Sequence, residues 1–267
     1  MRGSGSNVVV FDLDETLGHF SQLSRIWKTI TGSLNILPSQ LKVFYSLMDI
    51  FPEYSRPGIE EILRFIMAKK HERQCDLVMI YTNNNGPKDW ATTICQYYEK
   101  RIEHDIFDRV IGAFMVGDKV IEPERTTHHK TYEDLLKCTQ LPNDTKICFI
   151  DDRMHPLMRN DKVYFIKIKP YVRALPYTVI CDRLKENKTL LNLSQQQLSH
   201  ICDNLLSRSD DEDDIYEDEN VSIEMEVDII VGKQILNYLE TFFKKHGRKY
   251  TRKARRRGNL KRTRRRQ

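Results

Sequence analysis

The sequence predicts an α/β domain built on a mainly parallel sheet with helices against both faces. Short β-branched runs are apolar at successive positions, which suits strands buried on both sides. Stretches with helical spacing lie between them, as crossover connections require. Three of the strands, moreover, run straight into polar residues able to handle a phosphate or a metal.

The expected strands cover residues 8–11, 76–81, 146–150 and 163–166. Helical patterning is expected over 40–51, and again after Pro57 and Gly58, where Ile59, Ile62, Leu63 and Ile66 recur at i, i+3, i+4, i+7. Pro87 opens a segment marked by Trp90, Ile94, Tyr97 and Tyr98, and Leu135 and Leu136 mark a short helix. Ser194 with Gln197 has the spacing of a capping box before Leu198, Ile201, Cys202 and Leu205. A last stripe is Ile235, Leu236, Leu239, Phe242 and Phe243.

Charge divides the chain further. Of the 24 residues from Lys244 onward, 14 are Lys or Arg and none is acidic, leaving 29 basic against 38 acidic residues elsewhere. Eight of the ten residues 210–219 are acids, too charged to pack, and read as a solvated linker. The expected organisation is a flexible start over 1–6, a domain over 7–206, an acidic linker over 207–227, an amphipathic helix over 228–243 and a basic tail over 244–267. No apolar run reaches the roughly 18 to 20 residues that span a bilayer, so no membrane segment is expected. Six scattered cysteines without a Cys-x-x-Cys pair read as buried thiols of an intracellular, reducing compartment.

In an open α/β sheet, ligands gather at the carboxyl ends of the strands. Asp12, Thr82 and Asp151 stand there. Phe11-Asp12-Leu13-Asp14-Glu15-Thr16-Leu17 resembles the Asp-x-Asp-x-Thr signature of the haloacid dehalogenase superfamily. With His19 it is similar to the branch holding RNA polymerase II carboxy-terminal-domain phosphatases and NLI-interacting-factor-like phosphatases. Arg56-Pro57-Gly58, Val78-Met79-Ile80-Tyr81-Thr82, Phe149-Ile150-Asp151-Asp152 and Ile166-Lys167-Ile168-Lys169-Pro170-Tyr171 resemble further elements of that branch, so the likeness spans residues 7–172.

The resemblance implies a haloacid-dehalogenase-like Rossmannoid three-layer fold without a large cap domain, and a Mg²⁺-dependent phosphatase working through an aspartyl-phosphate. Asp12 stands at the nucleophile position and Asp14 at the general acid–base position. Asp12, Asp151, Asp152 and the Asp14 carbonyl are the metal candidates, hard oxygen donors that suit Mg²⁺. Thr82 and Asn83 offer a hydroxyl and N–H groups to phosphate oxygens. The family also needs a lysine, and Lys130 is favoured over Lys119 and Lys137. Thr16, Arg56 and Arg109 are expected on the substrate side, Thr16 also bracing the loop.

The expected substrate is a phosphoserine or phosphothreonine protein, the expected state a monomer. The same chemistry on a nucleic-acid end or a small metabolite is the alternative, and a non-catalytic phosphate-recognition or nucleic-acid-binding scaffold a third. The basic tail suits nucleic acid, an import receptor of the nucleus, or the chain's own acidic run.

Overall fold

The structure, a computed structural model, describes residues 6–34, 41–84, 86, 89–207 and 221–246. Its centre is a five-stranded parallel sheet in the order β3-β2-β1-β6-β7. These strands are β1 (Asn7–Phe11), β2 (Leu77–Tyr81), β3 (Arg109–Ile111), β6 (Lys146–Asp151) and β7 (Val163–Lys167). β1 lies in the middle with every residue buried, pairing with β2 on one side and β6 on the other. Two apolar clusters form on the sheet's faces. Val9 and Phe11 belong to the larger one, Val8 and Val10 to the other, so the alternation of β1 feeds both.

Helices α1 (Ser21–Leu34) and α2 (Leu41–Ile50) follow β1, and α3 (Ile59–His71) leads into β2. Gly58 adopts φ 81° at the entry to α3, a left-handed conformation glycine takes without strain. Helix α4 (Trp90–Ile102) precedes β3, and a small antiparallel hairpin, β4 (Met115–Val116) with β5 (Lys119–Val120), precedes α5 (Tyr132–Thr139). Thr131 caps α5 by accepting a hydrogen bond from the Asp134 N–H at 2.9 Å. After β7 come α6 (Tyr177–Glu186) and α7 (Gln195–Leu206), the latter opened by the Ser194–Gln197 capping box the sequence predicts. Among the described residues no insertion reaches the size of a separate domain, and no helix is long and apolar enough to cross a membrane. All six cysteines are free and buried.

The last helix departs from expectation. α8 (Val221–His246) starts seven residues before the anticipated boundary at 228 and packs on α3, β6 and β7. Its Ile235, Leu239, Phe242 and Phe243 are buried, each contributing about 2 kcal/mol of apolar burial. The acidic run 210–219, the tail from 247 and residues 1–5 lie outside the described residues.

The topology locates the site. From β1 the chain builds outward to β2 and β3, then returns to place β6 on the other side of β1. Ligand crevices form outside the carboxyl ends of strands at such a reversal. Asp12 follows β1 and Asp151 ends β6, so the two acids flank it.

Candidate active site

The Asp12 N–H donates to the Ile150 carbonyl at 2.9 Å, extending the β1–β6 ladder until the carboxylates of Asp12 and Asp151 face the same crevice. Lys130, immediately before the cap of α5, reaches in from the side. Its Nζ donates to Asp12 Oδ1 and, at 2.7 Å, to Asp151 Oδ2. The rings of Tyr81 and Phe149 flank the ammonium at 5.9 and 5.8 Å. Lys119 sits instead on the exposed β5, and Lys137 in the last turn of α5.

Asp152 is fixed from the first loop. Its N–H donates to Thr16 Oγ1 at 3.2 Å, and the Thr16 hydroxyl lies 3.4 Å from Asp152 Oδ1. Thr16 therefore bonds to Asp152 and is not among the residues that line the cleft, although it was expected on the substrate side. Carboxylate oxygens of Asp12, Asp151 and Asp152 lie within 4.8 Å of one another. Three buried hard oxygen donors so close together fit Mg²⁺, which takes a few carboxylates and keeps waters elsewhere. The side chain of Asp14 is not one of them. It accepts a hydrogen bond from Asn84 Nδ2 at 2.6 Å, leaving its backbone carbonyl as the metal candidate.

Electrostatics separate the acids. Burial raises the pKa of Asp12, with the Asp151 charge adding and Lys130 opposing. Burial raises Asp14 to about 6 against the hydrogen bond from Asn84. At Asp151 burial acts upward too, but the hydrogen bond from His155 and the Lys130 charge outweigh it and hold the carboxyl below its usual range. Burial and the neighbouring Asp151 raise Asp152. Five acids line the cleft, Asp12, Asp14, Glu15, Asp151 and Asp152, against the Lys130 ammonium and the exposed Arg153, a deficit of positive charge that a divalent cation would reduce.

The cleft, about 180 Å³, is lined by Asp12, Asp14, Glu15, Thr82, Asn83, Asn84, Lys130, Asp151, Asp152, Arg153 and His155. Thr82 begins where β2 ends, and its Oγ1 accepts from the Asn84 N–H at 3.0 Å. Asn83 Oδ1 accepts from Arg125 Nη2 at 2.7 Å. Arg125, 1% exposed, also donates to the carbonyls of Thr82, Gly112, His128 and His129, tying the Thr82 loop to the segment that delivers Lys130.

Two arginines expected near substrate are placed elsewhere. Arg56 is 1% exposed, and its Nε and Nη2 donate to the carbonyls of Thr16, Glu15 and Lys169 at 2.6 to 2.8 Å. Its guanidinium holds backbone and lines a different cavity, of about 710 Å³, together with Tyr171 and Met225. Arg109 lies on the edge strand β3, paired in register with Met79 and facing Glu122 at 3.7 Å. It stands back from the strand ends, outside the cleft. Sequence reasoning passed over Arg125, Arg153 and His155, whose Nε2 lies 3.1 Å from Asp151 Oδ2. Asn84, whose side chain donates to Asp14, was not among the expected site residues either.

The family model of NLI interacting factor-like phosphatases matches residues 7–199. No curated protein and no solved structure matches the chain. The matched span contains every residue that lines the cleft, and the parallel sheet is the Rossmann-like arrangement of haloacid-dehalogenase-type enzymes.

Proposed function

Because the chain belongs to the NLI interacting factor-like phosphatase family, we propose that it is a Mg²⁺-dependent phosphatase acting on phosphoserine or phosphothreonine in proteins, with Asp12 as nucleophile. The observation that carries this reading is the buried Asp12 carboxylate, gripped by Lys130 beside Asp151 and Asp152 at the sheet's switch point.

Lys130 fixes the Asp12 carboxylate so that its free oxygen can meet phosphorus in line with the departing oxygen. The new bond forms between that oxygen and phosphorus, and the ester P–O bond breaks. Asp14 gives its proton to the leaving alkoxide; burial, raising its pKa to about 6, makes it hold that proton more readily than an ordinary aspartate does. Asp14, now a carboxylate, takes a proton from the water that attacks phosphorus, releasing phosphate and restoring Asp12. Mg²⁺ held by Asp12, Asp151 and Asp152 would supply positive charge to the phosphoryl oxygens.

Drug-sized ligands occupy pockets of roughly 300 Å³ and more, whereas this cleft of about 180 Å³ has room for little beyond a phosphoryl group. The bulk of the substrate then stays outside, as it does for a side chain on a protein. Hydrolysis of phosphoserine peptides, free nucleotides and 3′-phosphorylated oligonucleotides, each with Mg²⁺ and with EDTA, tests the assignment. Preference for the peptides with loss of rate in EDTA is expected; preference for oligonucleotides would move the enzyme to nucleic-acid ends. No hydrolysis of any of them would leave the scaffold reading.

Asp14→Asn gives a sharper test of roles. An alkyl phosphate needs its leaving oxygen protonated, and a nitrophenyl phosphate needs this much less. The variant should lose about 10²- to 10³-fold in kcat on phosphoserine peptide and much less on the aryl ester at the phosphorylation step. Equal losses on both in single-turnover rates would remove the acid role.

The basic segment has a separate partner in this proposal: nucleic acid, held through its phosphates. His246, where α8 ends, accepts a hydrogen bond at its carbonyl from Asn7 Nδ2 at 3.0 Å. That contact sits at the amino end of β1, opposite the catalytic edge. Truncation after His246 should abolish retention on random-sequence duplex at low salt while kcat stays unchanged. Full-length affinity should fall about 10³-fold between 50 and 200 mM salt if some six phosphates are neutralised. Equal retention by both chains would discard the tail as a nucleic-acid tether.

A further inference from the structure

Helix α8 lies beyond residues 7–199, the span shared with the family, yet it touches the machinery of the site from behind. Gly232 brings its backbone against the turn before α3: a Cβ there would stand 2.8 Å from the Pro57 carbonyl oxygen. One turn earlier Asp228, 6% exposed, points into the same junction, with Oδ1 3.4 Å from Lys169 Nζ. Lys169 also pairs with Glu224 of α8. Its carbonyl accepts from Arg56 Nη2 at 2.8 Å.

Arg56 is a buried cation whose hydrogen bonds all go to neutral carbonyls. Such a charge needs a counter-ion nearby to offset its desolvation. Burial lowers its pKa to about 10, opposed first by the Asp228 charge and then by Tyr171 and Asp152, while the direct ion-pair partner of Asp228 is Lys169. The carbonyls it grips belong to Glu15 and Thr16, within the turn that carries Asp12 and Asp14. Glu15 sits at φ 55°, a left-handed conformation that is strained for a residue with a side chain. The turn is held there by Arg56 and by the Tyr171 N–H, which donates to the Glu15 carbonyl at 2.9 Å.

We propose that Asp228 is a positioning residue for the reaction: as counter-ion to the Arg56–Lys169 junction it keeps the Glu15–Thr16 turn, and with it Asp12 and Asp14, in place. This rests on the phosphatase reading, and it assigns to α8 a part in catalysis that the family-matched domain does not contain. Asn in place of Asp228 keeps the shape and removes the charge. Glu restores the charge with one extra methylene.

The full-length Asp228→Asn and Asp228→Glu chains should be compared with wild type in amide hydrogen exchange and in aryl phosphate hydrolysis with Mg²⁺. In Asp228→Asn, exchange over residues 13–18 should quicken about tenfold while β2 and β3 keep wild-type protection. The kcat should drop about tenfold at unchanged KM, and Asp228→Glu should recover most of both. Wild-type exchange at the turn together with wild-type kcat in Asp228→Asn would overturn the proposal. So would a uniform rise in exchange across the domain that Asp228→Glu fails to reverse. If the phosphatase reading itself fails, wild type is inactive while the local exchange difference persists; if only this proposal fails, wild type is active and the turn is indifferent to the substitution.

Discussion

Asp12→Asn is expected to lower hydrolysis of an aryl phosphate by at least about 10⁴-fold, to the level without enzyme, while the protein stays folded. The two halves of that expectation have different causes. A carboxamide has no anionic oxygen to attack phosphorus, so the covalent step has no nucleophile and a neighbouring acid cannot replace it: Asp14 is turned to Asn84, and Asp151 is held by Lys130 and His155. Asparagine keeps the size of aspartate, however, and its Oδ1 can still accept from Lys130. Burial already disfavours charge at this position, so losing it relieves part of the repulsion from Asp151. Thermal melting without metal should therefore shift by no more than a few degrees. Stabilisation by Mg²⁺ should shrink, because one of three clustered carboxylates is gone. Substantial turnover by this variant, measured on protein freed of wild-type contamination, would end the assignment of the nucleophile.

The sequence revealed the parts of this site that sit next to the strands. β1, β2, β6 and β7 are legible because buried parallel strands must be apolar on both faces, and Asp12, Thr82 and Asp151 follow from where they stop. β3 was missed: it has only three residues, opening with Arg109 at an edge, and carries no such run. The start of α8 was missed for a related reason. Ile223, Met225, Ile229 and Ile230 are exposed, while Asp228 is buried and Gly232 packs against Pro57, so the apolar pattern there does not mark the inward face. Arg56 shows the limit most plainly. An arginine near a phosphate site invites a substrate role, and only the fold reveals that its Nε and Nη2 are already bound to three carbonyls. Arg125 and His155 owe their places to contacts made across the fold, which local patterning does not encode.

Lys130→Met should combine the other large loss of activity with a large loss of stability. Lys130 is 2% exposed and is the one ammonium between two buried carboxylates. Removing one partner of such a group leaves charge buried without compensation, at about 3 to 5 kcal/mol. In a domain of this size that corresponds to melting roughly 10 °C lower without metal. Methionine fills the space between Tyr81 and Phe149, so the cost is electrostatic rather than that of a cavity. Activity should fall about 10³-fold, since the Asp12 carboxylate loses the donor that aims it. The sign of the metal effect separates this account from simple misfolding. A pocket with one positive charge fewer attracts a divalent cation more strongly, so Mg²⁺ should raise the melting temperature of Lys130→Met by more than it raises that of wild type. Equal shifts in the two proteins, or a variant as stable and active as wild type, would mean that Lys130 does not carry the charge balance of the site.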